Sequence, residues 1–257
     1  MLIDRDTGLL TAAGARYQES LERALDTLGA TTLAVTRAAT SRLEIWCVPG
    51  FASLWLNPSL ADFRRAHPKI AVDLRPSETG PSIAHHQADA DIRFVRDEVG
   101  RPPGPDIRAI PLTRPAFFPV ASPELARTLS PRLAGLEDLL TAPLLHEEDD
   151  ADWRAWLKVQ GTSSRLPPPV ARLWQAHLAL GAAREGQGLA LTNSFLARED
   201  LRAGRLVPVT LASGAPLRAS IGVYMLSARA DRWDTLALSR FRQWLVEACA
   251  DQGEAGA

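Results

Sequence analysis

From Leu43 to Val95 the chain alternates between short extended apolar runs and helical patterns, and this alternation constrains its fold more than any other feature. Leu43-Glu44-Ile45-Trp46-Cys47-Val48 reads as a strand cut off by Pro49-Gly50. A helix is expected next, capped by either Ser53 or Asn57, with Pro58 in its first turn, where a missing N–H costs little. Leu56, Leu60 and Phe63 form its buried stripe. His67-Pro68 ends it, and Ile70 to Leu74 alternates as a second strand. A short helix at Ile83–Gln87 leads to a third strand, Ala90–Val95. Strand, helix, strand in this order implies right-handed crossovers and a largely parallel sheet.

A second series follows the proline-rich loop Arg101–Pro105. Phe117 to Pro123 is extended and carries prolines where a central strand would not tolerate them, so it reads as a crossover between two lobes. Leu144–His146 is a strand. Asp152–Val159 is a helix with Trp153, Trp156 and Leu157 inward, and Arg165–Pro169 is a loop. The pattern continues with strand Val170–Leu173, helix Ala176–Glu185, strand Gly188–Thr192 and helix Ser194–Ala203. Leu217–Leu226 is strand-like and could return to the first lobe. Trp233–Ala250 closes the chain as a helix buried through Leu236, Phe241, Trp244 and Leu245, and residues 252–257 fray. The fold class is α/β.

Ahead of this lies Ala15–Arg37, with no proline and one glycine. Tyr17, Leu21, Ala24, Leu28, Thr31 and Val35 alternate in steps of four and three, the spacing of a coiled-coil seam. A lone helix of this length is marginal in water, so the stripe needs a partner. Two readings stay open: an amphipathic helix lying on its own domain, or a dimerisation helix.

Composition narrows the function. With 46% hydrophobic residues and a net charge of −1, the chain can fill a sizeable core and advertises neither nucleic acid nor a membrane. Lys69 and Lys158 are the only lysines, and the arginines form no block. Acidic residues at Asp4 and Asp6 and the lack of a long apolar run argue against a signal peptide or a membrane span, so a cytoplasmic location is expected. Cys47 and Cys249 are read as packed free thiols, with one disulfide as the alternative. Catalytic candidates are weak. His146-Glu147-Glu148 is not HExxH, and His85-His86 point about 100° apart on a helix. Gly186-Gln187-Gly188 precedes a strand instead of opening a helix. The run Glu147–Asp150 suits a solvated helix start. Neither an enzyme, nor a metal site, nor a cofactor is expected.

Several stretches together resemble LysR-type transcriptional regulators, in the branch of glycine-cleavage and β-lactamase-gene activators. Leu10-Thr11-Ala12-Ala13-Gly14 is similar to the LTxAG that follows their winged helix-turn-helix. Pro49 to Pro58 with Leu60, Phe63, His67 and Pro68 resembles "PsFAxxWLxPxLxxFxxxHP". Asp89 to Phe94, Pro119 to Pro123, Ala182 to Ala190 and Asp200 to Val207 resemble four further family segments in the right order. The resemblance implies a periplasmic-binding-protein-like fold, two Rossmann-like lobes joined by two crossover strands and preceded by a linker helix. It implies a remnant of the DNA-binding head at residues 1–14 and a linker or dimerisation helix at 15–40. Lobe I would be 41–118 with 219–250, and lobe II 119–218.

A small-molecule effector would then sit outside the carboxyl ends of the strands. Gly50, Phe51, Ser53, Thr79 and Phe94 would face it from one lobe, and His146, Trp174, Gln175, His177 and Asn193 from the other; Glu78, Arg96 and Glu147 lie on the same strand ends. Helix N-termini with Ser53 and Thr79 favour a carboxylate; Trp174 and His177 favour a bulky or aromatic ligand. Tyr17, Leu21 and Leu28 would pair the chain into a homodimer or tetramer. Most of the head being missing, DNA binding is expected only if a head is present. The alternative is a sensor-only protein, or a dominant-negative partner of full-length regulators.

Overall fold

A computed structural model describes residues 2–3, 9–18, 20–21, 41–80, 88–98, 104–162 and 164–254. Strand β1 (Ser41–Cys47) runs straight into helix α1 (Pro49–Phe51), a π-helical stretch (Ala52–Leu56) and α2 (Asn57–Ala66). Then come β2 (Ile70–Pro76), β3 (Ala90–Arg96), β4 (Ile107–Thr113) and β5 (Ala116–Ala121). Helices α3 (Pro123–Leu129) and α4 (Leu136–Leu139) precede β6 (Leu144–His146) and α5 (Ala151–Val159). The chain continues through β7 (Ala171–Arg172), α6 (Ala176–Arg184), β8 (Leu189–Asn193), α7 (Arg198–Arg202), β9 (Val207–Pro208), β10 (Ala219–Ser220), β11 (Gly222–Arg229) and α8 (Leu236–Glu254).

These strands form two sheets. The first has the order β2-β1-β3-β11-β4, with β1 parallel to β2 and β3 and β11 antiparallel to its neighbours. The second has the order β10-β5-β8-β6-β7, with β9 also on β5. The chain passes from first sheet to second between β4 and β5, and returns between β10 and β11. At the return, a Cβ on Gly222 would lie 2.4 Å from the Val95 carbonyl oxygen, so the two chains can cross this closely only without a side chain there. One buried apolar cluster joins Ile45, Ile92 and Leu226 of the first sheet to Phe118, Val120 and Ala190 of the second. Another lies around Trp153, Trp156 and Leu189.

Several expectations are corrected. Backbone dihedrals are helical from Phe51 through Asn57, and the N-cap is Val48, so neither Ser53 nor Asn57 caps the helix. Ser53 instead sits exposed in the π-helical stretch. Phe117 to Ala121 lies inside β5, a strand paired on both sides, despite Pro119. In an antiparallel ladder the N–H and C=O of one residue point the same way. The Pro119 carbonyl accepts from the Val209 N–H at 2.9 Å, so its missing N–H faces the gap between β10 and β9 and no bond to β8 is lost. The helix expected at Ser194–Ala203 contracts to α7 behind a turn. The closing helix starts at Leu236, which is 67% exposed, and is buried through Leu238, Phe241 and Leu245.

Of the N-terminal region, residues 12–18 are helical. The Gly14 N–H donates to the Thr11 hydroxyl at 3.1 Å, and Ile3 bridges Leu10. Tyr17 and Leu21 are exposed; Leu28 and the rest of the expected seam lie outside the described residues, as does the helix expected at Ile83–Gln87. Cys47 and Cys249 are free and buried; burial pushes both thiols up, Cys249 to about 12, which keeps them unreactive.

Candidate ligand-binding site

The carboxyl ends of β1, β2 and β3 face those of β6, β7 and β8 across the junction of the lobes, and the two sides meet at Gly50. A Cβ there would lie 2.8 Å from that of Ala176, the first residue of α6. The bare glycine therefore lets the helix starts of both lobes touch. Beside this contact the junction is filled with aromatic rings. Phe51 lies 4.4 Å from Tyr224, 4.8 Å from Trp55 and 6.0 Å from Phe195, and Phe94 lies 5.1 Å from both Tyr224 and Phe117. Asn193 is fully buried; its carbonyl oxygen accepts from the Phe195 and Leu196 N–H groups, and its amide reaches the Tyr224 hydroxyl at 3.5 Å. Phe51, Phe94 and Asn193 thus hold the lobes together.

The rest of the junction is polar and acidic. Glu147, just past β6, lines a small cavity with Asp149, Asp152 and Ala179. Burial pushes its carboxyl up to about 8; the charges of Asp152, Glu78 and Asp149 add to this, and Arg96 opposes it. Burial and the neighbouring Glu148 likewise raise the Glu78 carboxyl, against Arg93. The nearby cations are committed. Arg96 reaches across the lobes to Asp152 at 2.7 Å, and Lys158 crosses to Glu98. Arg93 grips Asp91 and donates to the carbonyls of Ser77, Glu78 and Thr79, which fixes the loop after β2. Thr79 itself is exposed, its hydroxyl 3.3 Å from that of Ser77. Among the described residues no three His, Cys, Asp or Glu side chains are grouped to hold a metal ion.

Between β7 and α6 the backbone is strained. Trp174 has φ 60°, the one positive value outside glycine among the described residues. The Gln175 N–H donates to the Leu173 carbonyl at 2.7 Å, closing a three-residue turn around it. Such γ-turns with a positive central φ are rare and strained, and bulky residues avoid this region. The indole stays 59% exposed, so burial of the ring does not repay the strain. Gln175 is the N-cap of α6 and uses no side-chain cap; His177, in the first turn, has a buried Nδ1 without a partner.

His146 departs from the group. Successive residues of a strand face opposite sides. Glu147 therefore looks into the junction, while His146, 2% exposed, turns toward a separate cavity between α5 and the Arg165–Pro169 loop. The junction thus gathers Gly50, Phe51, Phe94, Asn193, Gln175 and Trp174, the expected Glu147 and Arg96, and two residues the sequence reading missed: Asp152 and Tyr224. Asp152 was read only as the first residue of the helix that follows β6. Tyr224 carries no local signal, because only the β3–β11 pairing brings it to Phe94.

The LysR substrate binding domain family matches residues 36–250. The AmpR transcriptional activator of Rhodobacter capsulatus is 30% identical over 234 residues, 91% of this chain and 73% of that protein. The glycine cleavage system transcriptional activator of Escherichia coli K12 is 29% identical over 247 residues, 95% of this chain and 77% of that protein. The effector domain of AmpR from Pseudomonas aeruginosa superimposes with a TM-score of 0.67 at 27% identity, over 84% of this chain and 98% of that domain. The two sheets and their crossovers are those of the periplasmic-binding-protein-like effector domains of such regulators. This chain belongs to the LysR family of transcriptional regulators and carries their effector-binding domain.

Proposed function

We propose that this chain senses a small molecule bearing an ammonium group, held between its lobes beside Glu147 and under the indole of Trp174. One observation carries the reading: a carboxyl pushed up to about 8 among three further acids, where the neighbouring cations are already paired. A ligand cation would restore its charge and draw the lobes together. The carboxylate expected from helix N-termini has less support, because the start of α1 abuts Ala176 and Ser53, exposed in the π-helical stretch, does not cap it. The exposed, strained Trp174 supports an aromatic or otherwise flat ligand.

In this reading residues 41–118 with 219–250 form lobe I, 119–218 lobe II, and 15–40 the helix that pairs copies through Tyr17, Leu21 and Leu28. Effector binding would shift lobe closure and so reorient DNA-binding heads within a dimer or tetramer. The protein works in the cytoplasm and catalyses no reaction; no described helix is long and apolar enough to cross a membrane. A thermal-shift screen with amino acids, aromatic amines and aromatic acids tests it. Stabilisation by amines or amino acids that disappears in Glu147→Gln supports the reading, and stabilisation by acids alone, indifferent to Glu147→Gln, refutes it.

A further inference from the structure

The cavity that His146 faces measures about 920 Å³, against about 20 Å³ for the one beside Glu147, and residues 140–172 line it. Its charge is the reverse of the junction's. Arg154, Lys158, Arg165 and Arg172 surround it, against the single acid Asp150. Arg154 is spent on Asp150 at 3.1 Å and Lys158 on Glu98, whereas Arg165 and Arg172 make no ion pair among the described residues. Arg172 stands opposite His146 in the β6–β7 register, so both side chains project from the same face of the sheet. Both ring nitrogens of His146 are buried without a hydrogen-bond partner. Orphaned buried polar atoms of this kind are costly and call for an occupant. Leu157, Leu166 and the run Pro167-Pro168-Pro169 supply an apolar wall.

We propose that this cavity is a second ligand site, separate from the lobe junction, that takes an organic acid. The acid's carboxylate would lie between Arg172, Arg165 and the His146 N–H, with its apolar body against Leu157 and the prolines. Neither face of the reading depends on the other: the two sites lie on opposite sides of β6 and select opposite charges. Because α5 forms the cavity wall and also carries both cross-lobe ion pairs, Arg96–Asp152 and Lys158–Glu98, an acid bound here would bear on lobe closure.

The test is a titration of the whole chain with benzoate, salicylate and hexanoate, followed by calorimetry and by nitrogen-15 NMR of the histidine rings. Sulfate serves as a charge-only control. At least one acid should saturate and move the His146 ring signals. Arg172→Gln and Arg165→Gln, both at exposed positions, should each weaken it roughly tenfold, while the junction substitution Glu147→Gln leaves it within about twofold. Saturation by none of the acids overturns the proposal. So does binding that spares the His146 signals or is lost in Glu147→Gln and kept in Arg172→Gln. Sulfate binding as well as the acids would mean an adventitious ion only and overturns it too.

Discussion

Glu147 sits in an acidic patch where Arg96, the cation that bears on it, is already paired with Asp152, so its protonation couples to both stability and ligand. Its folded value, about 8, lies above the ordinary 4.5. The stabilisation tied to the protonated form is therefore full below about 4.5 and is lost as pH rises through about 8. Glu147→Gln should raise Tm at pH 8.5 and leave it unchanged at pH 4, which melting curves at the two values will show; equal shifts at both would rule out the assigned ionisation. Trp174 makes a second residue-scale case. Replacing it by glycine removes a strained positive φ at an exposed position. A gain of up to about 1 kcal/mol in urea unfolding is expected, together with weaker ligand stabilisation. A clear loss of stability would mean that the ring packs as structure. The family segments were legible because they build scaffold. Asp200 is buried and paired to Arg184 at 2.8 Å and Arg205 at 2.7 Å, and Asp89 accepts from the Glu44 N–H at 2.9 Å. Site chemistry was less legible, because the environment that raises the Glu147 carboxyl is assembled from both lobes.

Elements come together where a missing side chain decides the geometry, at Gly222 between β11 and β3 and at Gly50 between the lobes. α1 and α6 touch through Gly50, and a methyl group there would meet the Cβ of Ala176 at 2.8 Å. Gly50→Ala should cost about 1–3 kcal/mol and push the lobes apart; a lowered Tm with an enlarged radius of gyration in small-angle scattering is the expected result, and an unchanged profile would contradict the contact. Strand–helix alternation in the first lobe was readable from apolar runs and their proline stops. Boundaries were readable only where a local residue sets them. Helix α1 begins at Pro49 because proline suits a first turn, and no side-chain cap is used, so searching for a capping Ser or Asn misplaced the start. β5 was misread as a connector since a proline in a central strand is forbidden only when its N–H side faces a paired neighbour, and Pro119 faces the gap between β10 and β9. That fact belongs to the sheet and not to the segment.

For the molecule as a whole, lobe closure is the variable a ligand can change. Closure is already supported by the aromatic rings around Phe51 and Tyr224 and by the ion pair from Arg96 to Asp152. Asp152→Asn removes that pair at a site about two-thirds buried. It should lower Tm by an amount corresponding to about 1 kcal/mol and make the lobe junction exchange amide hydrogens faster; unaltered exchange there would remove the ion pair from the account. In the proposed reading copies pair through residues 15–40, so joint replacement of Leu21 and Leu28 by Asp should halve the mass seen in sizing, and an unchanged mass would place the seam elsewhere. In the proposed reading a ligand ammonium ionises Glu147 inside the lobe junction. Calorimetric titration of a stabilising amine in two buffers of different ionisation enthalpy counts the protons released on binding. Release close to one proton per ligand at pH 7, falling toward none near pH 9 and absent in Glu147→Gln, is the predicted result. Binding with no proton release at pH 7 would contradict it.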